Sequence, residues 1–394
     1  MSEKTINKVP NVPNLRFFND NSTWSNSTLE KMCKFVGGGT PSTMNQDYWN
    51  GDIAWISSAD LLEENVHKYN VSRFITEDAV MNSATKICPI NTIMIVSRVG
   101  VGKIAISNSK ICTSQDFINL TEYQFDKDFL VYSLKNTIEK LKISSQGTSI
   151  KGITSKEIKL INIFYPEIIE QHKIGLFFKK IDERISLQNK IIDNLLSLMN
   201  GIRNIIFSGD NNCFTNTTNN KLGYFLEEYS KKNIENNLQS ASIGKYGIRM
   251  RDEIYSKELT NDYSKNKVIF KDTLSIGMGS TQIDIGILSE NKEYCISPAY
   301  TTYKIKNINS QYLNEYLIYL NPLLSKRYMI IGARQGKSVN KHELLEHEIL
   351  IHSNEEQSKI VKIFNLLYAK LKKEKDILSL YKKQKAYLLQ NMFI

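Results

Sequence analysis

Gly332-Ala333-Arg334-Gln335-Gly336-Lys337-Ser338 comes close to a phosphate-binding loop. The pattern that cradles a nucleotide is Gly-x-x-x-x-Gly-Lys-Ser, and the position where its first glycine belongs is Ile331. The spacing is one residue short, and the related stretch Gln146-Gly147-Thr148-Ser149 has no lysine, so an ATP site is not expected here. His342, His347 and His352 recur at steps of five, which on a helix rotates each ring about 140° from the last. Separate surface or strand histidines are expected, not a metal site. Gly277-Met278-Gly279 is too short to hold a dinucleotide, and Asn321-Pro322-Leu323 lacks the Asn/Asp-Pro-Pro-Tyr chemistry of adenine methylation. No catalytic set emerges, and none is expected in this chain.

Charge directs attention to binding instead. The formal net charge is +10, which points to a polyanionic partner. Residues 356–394 hold nine lysines against three acids, and Lys370, Lys372, Lys373, Lys375, Lys382 and Lys383 read as the solvated face of a helix. The start of the chain lacks the apolar core of a signal peptide, and no run of about eighteen apolar residues exists to span a membrane. The five cysteines are isolated and odd in number. A cytoplasmic protein is expected.

The elements that must position any binding residues form a repeat. Segments 170–207 and 356–393 align without a gap. In the first, Ile174, Phe178, Ile181, Ile185, Gln188, Ile192, Leu195, Met199, Ile202 and Ile206 alternate at steps of four and three. Ile360, Phe364, Leu367, Leu371, Glu374, Leu378, Tyr381, Lys385, Leu388 and Met392 do so in the second. So narrow an apolar stripe buries itself only against another like it, which predicts an antiparallel coiled coil between the two helices. Gln188 and Glu374 share one heptad position, and a polar layer there is expected to set register.

Outside these helices the composition changes. The region to Pro166 opens on an Asn- and Pro-punctuated arm and a glycine-rich turn, Gly37-Gly38-Gly39-Thr40-Pro41-Ser42-Thr43. Strands are predicted over 53–56, 92–96 and 103–106, and helices near 128–141 and 155–160. Ser208 to Asn220 reads as a linker. Residues 221–353 then repeat the order weakly: Asp272-Thr273-Leu274-Ser275-Ile276 matches Asn91-Thr92-Ile93-Met94-Ile95, and Tyr316-Leu317-Ile318-Tyr319 aligns with Phe129-Leu130-Val131-Tyr132. The fold class expected is α+β: two similar globular domains, each a mixed sheet with short helices, separated by two long helices in a pseudo-two-fold arrangement.

Gly38-Gly39-Thr40-Pro41-Ser42-Thr43, followed by Tyr48-Trp49-Asn50-Gly51-Asp52-Ile53-Ala54-Trp55-Ile56 and Asp60-Leu61, resembles the opening of a target recognition domain in specificity subunits of type I restriction-modification enzymes. The stretch from Pro166 to Ile174, echoed at 355–360, is similar to the start of that family's spacer helices. The second domain departs from the pattern, because Lys221-Leu222-Gly223-Tyr224 is not followed by a Gly-Thr-Pro or Tyr-Trp signature. The resemblance implies a first recognition domain over 1–166, a spacer helix over 167–208, a linker and second recognition domain over 209–353, and a second spacer helix over 354–394. It also implies a noncatalytic subunit whose domains each read half of a bipartite, gapped double-stranded DNA site in the major groove. The helices would set the gap and dock two methyltransferase subunits, with restriction and translocase subunits in the full complex. S-adenosylmethionine, ATP and magnesium would belong to those partner subunits, and no cofactor or metal to this chain.

A helix of 38 residues spans about 57 Å, against the ~34 Å turn of B-DNA. Forked donors read base edges, whereas lysines and hydroxyls mostly anchor phosphates. Residues of both kinds in Gly-punctuated turns give the DNA-binding candidates: Thr40, Ser42, Arg98, Lys103, Gln146, Thr148, Ser149 and Lys151 in the first domain. In the second they are Lys245, Tyr246, Arg249, Arg251, Thr281, Gln282, Arg334, Gln335, Lys337, Ser338 and Lys341. Trp49 and Trp55 are expected as core anchors. The competing readings are a coiled-coil scaffold for protein partners, a lone nuclease or methyltransferase, and a specificity subunit serving modification only.

Overall fold

The structure, a computed structural model, describes residues 11–18, 22–144, 152–208, 214–244, 247–254, 262–332 and 336–394. Two long helices, Ile168–Phe207 and Asn354–Met392, occupy the heptad segments. Every heptad position named above is buried or half-buried, including the polar Gln188, Glu374 and Lys385. The chain divides into two compact units, Met1–Lys190 with Lys375–Ile394 and Ile191–Glu374, so the division falls inside both helices.

In the first unit, an antiparallel sheet runs Lys34–Gly37, Phe117–Thr121, Ile93–Val96, Ile104–Ile106. Its residues alternate between two cores, as a period of two requires. Ile93, Ile95, Ile104 and Leu120 face Phe129, Leu134 and Ile138 of the helix Lys127–Ser144 and join Ile174, Phe178, Leu389, Met392 and Phe393 of the long-helix segments in one cluster. That cluster sets the leading half of one long helix against the trailing end of the other, so the pair is antiparallel. Met94, Val96, Ala105 and Phe117 point the other way and pack on Ala54, Ile56 and Ile111. Here lies a second, mixed sheet of Arg73–Ile75, Ile53–Ile56 and Cys112–Thr113, the last two strands parallel. The N-terminal arm is tied down within this unit: Leu15 N–H donates to the Asn391 carbonyl at 2.9 Å, and the Arg16 guanidinium grips the Glu170 carboxylate at 2.8 and 2.7 Å.

The second unit repeats the plan. One antiparallel sheet runs Leu226–Tyr229, Thr301–Ile305, Thr273–Met278, Ile283–Ile287, and a mixed one runs Gly247–Met250, Ser240–Gly244, Tyr294–Ile296, Lys267–Ile269. Again two strands of the mixed sheet are parallel, Ser240–Gly244 with Tyr294–Ile296. Asn91 and Asp272, at matching points before the central strand, both take the left-handed conformation, with φ of 67° and 63°. Those are residue types that tolerate it without glycine.

Two sequence expectations are corrected. The expected linker contains a strand: Thr217–Lys221 pairs with Glu348–His352, although residues 209–213 lie outside the described set. Backbone pairing needs no apolar alternation when a strand is largely exposed, so its polar sequence gave no sign of it. The aromatic segments also align differently. Asp126 caps the helix Lys127–Ser144 through the Phe129 N–H, and Asn309 caps Ser310–Tyr328 through the Tyr312 N–H. Phe129 therefore corresponds to Tyr312, not Tyr316. The slip is four residues, about one turn, which leaves the same helix face aromatic.

The Glu-Gln pair that opens each long helix has a defined task. Gln171 accepts from the Asp126 N–H at 3.0 Å and donates to the Pro166 carbonyl at 2.9 Å. Gln357 accepts from the Asn309 N–H at 3.1 Å and donates to the His352 carbonyl at 2.9 Å. In both units one amide joins the start of the short helix to the chain entering the long one. Among the described residues no helix is long and apolar enough to cross a membrane.

Candidate nucleic-acid interface

In the first unit the Gly-Gly-Thr-Pro turn is held by close packing. A Cβ on Gly38 would lie 2.0 Å from the Ser114 carbonyl oxygen, and one on Gly39 2.4 Å from the Ala84 carbonyl carbon, so glycine is required at both. The Trp55 indole donates to the Gly39 carbonyl at 3.0 Å and the Trp49 indole to the Ser42 carbonyl at 3.1 Å. The two rings meet edge to face at 5.1 Å, and the Arg73 guanidinium lies 4.4 Å from the Trp55 ring centre. Trp55 is buried, and the pair anchors the turn that presents Thr40 and Ser42. Thr40 donates to the Gln115 side chain, while the Ser42 side chain is exposed.

Close by, Ser57 and Asp60 form a reciprocal cap. Burial acts against the Asp60 carboxylate. The hydrogen bonds from Ser57 and Ser72, helped by the Arg73 charge, outweigh it and hold the Asp60 pKa below its ordinary value. Arg98 is exposed just beyond the central strand, and Ser97 beside it accepts the Ile153 N–H through its carbonyl at 2.8 Å. Lys103 is half-buried, its ammonium 3.3 Å from the Ser58 carbonyl. Gln146, Thr148, Ser149 and Lys151 lie outside the described residues.

The second unit gathers its candidates around a pocket of about 650 Å3 lined by Ser242, Arg251, Tyr300, Lys337, Ser338 and Lys341, among others. Lys337 donates to the Ser280 carbonyl at 2.7 Å, which ties the strand Gly336–Val339 to the turn bearing the exposed Thr281 and Gln282. Arg249 is on the neighbouring strand Gly247–Met250, opposite Ser242. Lys267 donates to the Tyr300 carbonyl at 2.6 Å; burial first, then the Lys341 charge, lowers its pKa. Cations crowded in this way favour an anion beside them. Lys245, Tyr246, Arg334 and Gln335 lie outside the described residues.

Sequence reasoning missed Gln115, Arg73, Asp284 and Tyr300. Asp284 faces Gly277 across the hairpin and accepts the Tyr300 hydroxyl at 3.1 Å. The Tyr300 ring lies so close that a Cβ on Gly277 would be 2.3 Å from it. Only the lone Gly277-Met278-Gly279 hinted at such a contact. Among the described residues no group of three or more His, Cys, Asp and Glu side chains could hold a metal ion.

Residues 21–197 match the family model described as "Type I restriction modification DNA specificity domain". A Methanocaldococcus jannaschii protein, the type I restriction enzyme MjaIX specificity subunit, is 31% identical over 183 residues, 44% of this chain and 41% of that protein. The Escherichia coli EcoR124I/EcoR124II specificity subunit is 31% identical over 179 residues, 43% of this chain and 42% of its own length. The alignments thus span about two-fifths of these curated relatives. Fold similarity reaches further. The type I S subunit from M. genitalium superposes with a TM-score of 0.55 at 20% identity, covering 97% of this chain and 99% of that one. A chain from a structural study of type I R-M system assembly gives 0.59 at 16% identity, covering 94% and 97%.

Proposed function

We propose, from the match of residues 21–197 to the type I restriction modification DNA specificity domain and the similarity to type I specificity subunits, that the chain is the noncatalytic subunit that gives such an enzyme its sequence preference. Each unit's globular domain reads one half of a bipartite, gapped double-stranded DNA site. The two long helices set the gap and dock two methyltransferase subunits, and restriction and translocase subunits join the full assembly. S-adenosylmethionine, ATP and magnesium are held by those partners, and the complex works in the cytoplasm. The functional division follows the helix ends: recognition domains over 1–166 and 209–353, spacer helices over 167–208 and 354–394.

The observation that carries this reading is the duplicated plan. The family match covers residues 21–197 only, yet the strand order, the left-handed Asn91 and Asp272, and the Gln171 and Gln357 clamps all recur, which supports a second reader of the same kind. A helix of 40 residues spans about 60 Å, more than one ~34 Å turn of DNA. Thr40, Ser42, Arg98 and Lys103 in one domain and Arg249, Arg251, Thr281, Gln282, Lys337, Ser338 and Lys341 in the other are the described contact candidates. The test is to map methylated adenines in the genome of origin with and without this chain. One gapped, two-part motif should lose its methylation when the chain is removed; an unchanged methylation map refutes the proposal.

A further inference from the structure

The two central hairpins share one register. Ile93 lies between Ile106 and Leu120, and Leu274 between Ile287 and Tyr303, each two positions after its left-handed residue. Counting along the hairpins from these pairs sets Val96 against Lys103, joined by the Val96 N–H to Lys103 carbonyl bond at 2.9 Å, and Gly277 against Asp284. Lys103 and Asp284 therefore occupy equivalent positions of the equivalent sheets in the two units. One is a pure donor and the other, when ionised, a pure acceptor.

The surroundings of Asp284 sharpen the contrast. Gly277, its cross-strand neighbour, and Tyr300, its hydrogen-bond donor, both line the pocket that also carries Arg251, Lys337 and Lys341. Half-buried Asp284 takes one hydrogen bond, from the Tyr300 hydroxyl to Oδ2, and burial raises its pKa despite that bond. Among the described residues Oδ1 has no hydrogen-bond donor. Cations at a pocket wall suit phosphates, which position a nucleic acid; Asp284, set behind Gly277 and Tyr300 with its Oδ1 against the turn at Gly279, offers one under-used acceptor of the kind that suits a base edge, which specifies it.

We propose that this hairpin position is a specificity determinant in both units: Asp284 accepts the N4 amino group of a cytosine, and Lys103 donates to the O6 and N7 acceptors of a guanine. The inference rests on the proposed DNA-reading function. It makes the two half-sites differ in hydrogen-bond polarity at equivalent places, because one fold offers opposite groups there.

The experiment measures binding of the chain assembled with its methyltransferase subunits to duplexes in which every base pair of both half-sites is replaced singly. Asp284→Asn keeps the shape and exchanges an acceptor for a donor. It should lower discrimination roughly tenfold or more at one C·G pair of one half-site and leave the other half unchanged. Lys103→Met should do the same at one G·C pair of the opposite half. Tyr300→Phe, which keeps the ring on Gly277 and removes the hydroxyl, should disturb the same pair as Asp284→Asn. Thermal unfolding of each variant confirms that it is folded. A wild-type complex without base preference at any position overturns the function and this inference together. A discriminating wild type whose variants weaken all sequences equally, or change nothing, overturns this inference alone.

Discussion

In the first unit a tyrosine on the short helix meets a carboxylate on the long one; in the second a carboxylate on the short helix meets a tyrosine on the long one. The Tyr132 hydroxyl donates to Asp182 at 2.7 Å, and Lys385 from the other long helix pairs with the second Asp182 oxygen. Tyr368 donates to Glu315 at 2.8 Å, and Arg203 from the other long helix binds the second Glu315 oxygen through Nε at 2.8 Å. Counted from the helix caps, Tyr132 corresponds to Glu315, and counted along the heptads, Asp182 corresponds to Tyr368. Both units thus set a phenol against a buried carboxylate and a buried cation where the short helix docks on the long pair, with the first two exchanged; Tyr132 is fully buried, whereas Tyr368 is exposed at its edge. A buried carboxylate needs a cation and a further donor, and this is met whichever helix supplies it.

The largest test of that equivalence removes the carboxylate. Asp182→Ala and Glu315→Ala each leave a buried cation without its partner, and each should cost about 3–5 kcal/mol in urea unfolding of the full chain. Hydrogen exchange should place the loss in the helix Lys127–Ser144 for the first and Ser310–Tyr328 for the second. An effect under 1 kcal/mol in either would mean that the two polar clusters are not equivalent supports. Arg203→Lys comes next. The guanidinium contacts both Glu315 and the Tyr368 hydroxyl, the latter at 3.1 Å, whereas a lysine offers a single ammonium, so a loss of about 2 kcal/mol is expected. Lys385→Arg should give no matching gain, because Asp182 already has its cation.

How much of this could be read from the sequence depends on how far apart the contributing residues stand. The long helices were legible because every step of the seam is local, and the alternation of strands over 93–96 and 104–106 was legible for the same reason. Lys385 stands at a heptad position, so its place in the seam is legible as well. Its partner is not, because Asp182 follows a heptad position and lies 203 residues away. The candidate interface divides in the same manner. Arg251, Lys337 and Lys341 were found by charge and glycine-rich context, while Asp284 sits in a plain strand and acquires its meaning only from Gly277 and Tyr300 across the sheet.

Smaller effects separate the two clusters further. Burial first, and the facing carboxylate next, push both phenols above the ordinary tyrosine range, so Tyr132 and Tyr368 stay protonated donors. Tyr132→Phe removes one hydrogen bond to a carboxylate that keeps Lys385, with an expected cost of roughly 1.5 kcal/mol. Tyr368→Phe should cost more, because that oxygen also accepts from Arg203. Equal costs in urea unfolding would reduce the arginine contact to mere proximity.

The least effect expected lies where the clamps differ: Gln171 donates to the carbonyl of Pro166, but Gln357 to that of His352, which can titrate. His352 is buried, and its Nδ1 stands 2.8 Å from the Tyr312 hydroxyl, whose oxygen also accepts the His352 N–H at 3.3 Å. Burial lowers the His352 pKa, with Glu356 opposing in part. The folded state therefore binds that proton less readily than the unfolded chain. Stability from neutral His352 is fully present above the unfolded value of about 6.5 and is lost as pH falls through the lower folded value. Protonated Nδ1 would leave the Tyr312 proton without its acceptor, so the strain falls on the helix Ser310–Tyr328. His352→Gln should flatten the acid limb of the second unit's stability, read as hydrogen exchange of that helix between pH 7 and 5. In the first unit Pro166 stands at the matching position, so the helix Lys127–Ser144 should exchange as in the wild type; a parallel change in both helices would assign the acid limb to groups other than His352.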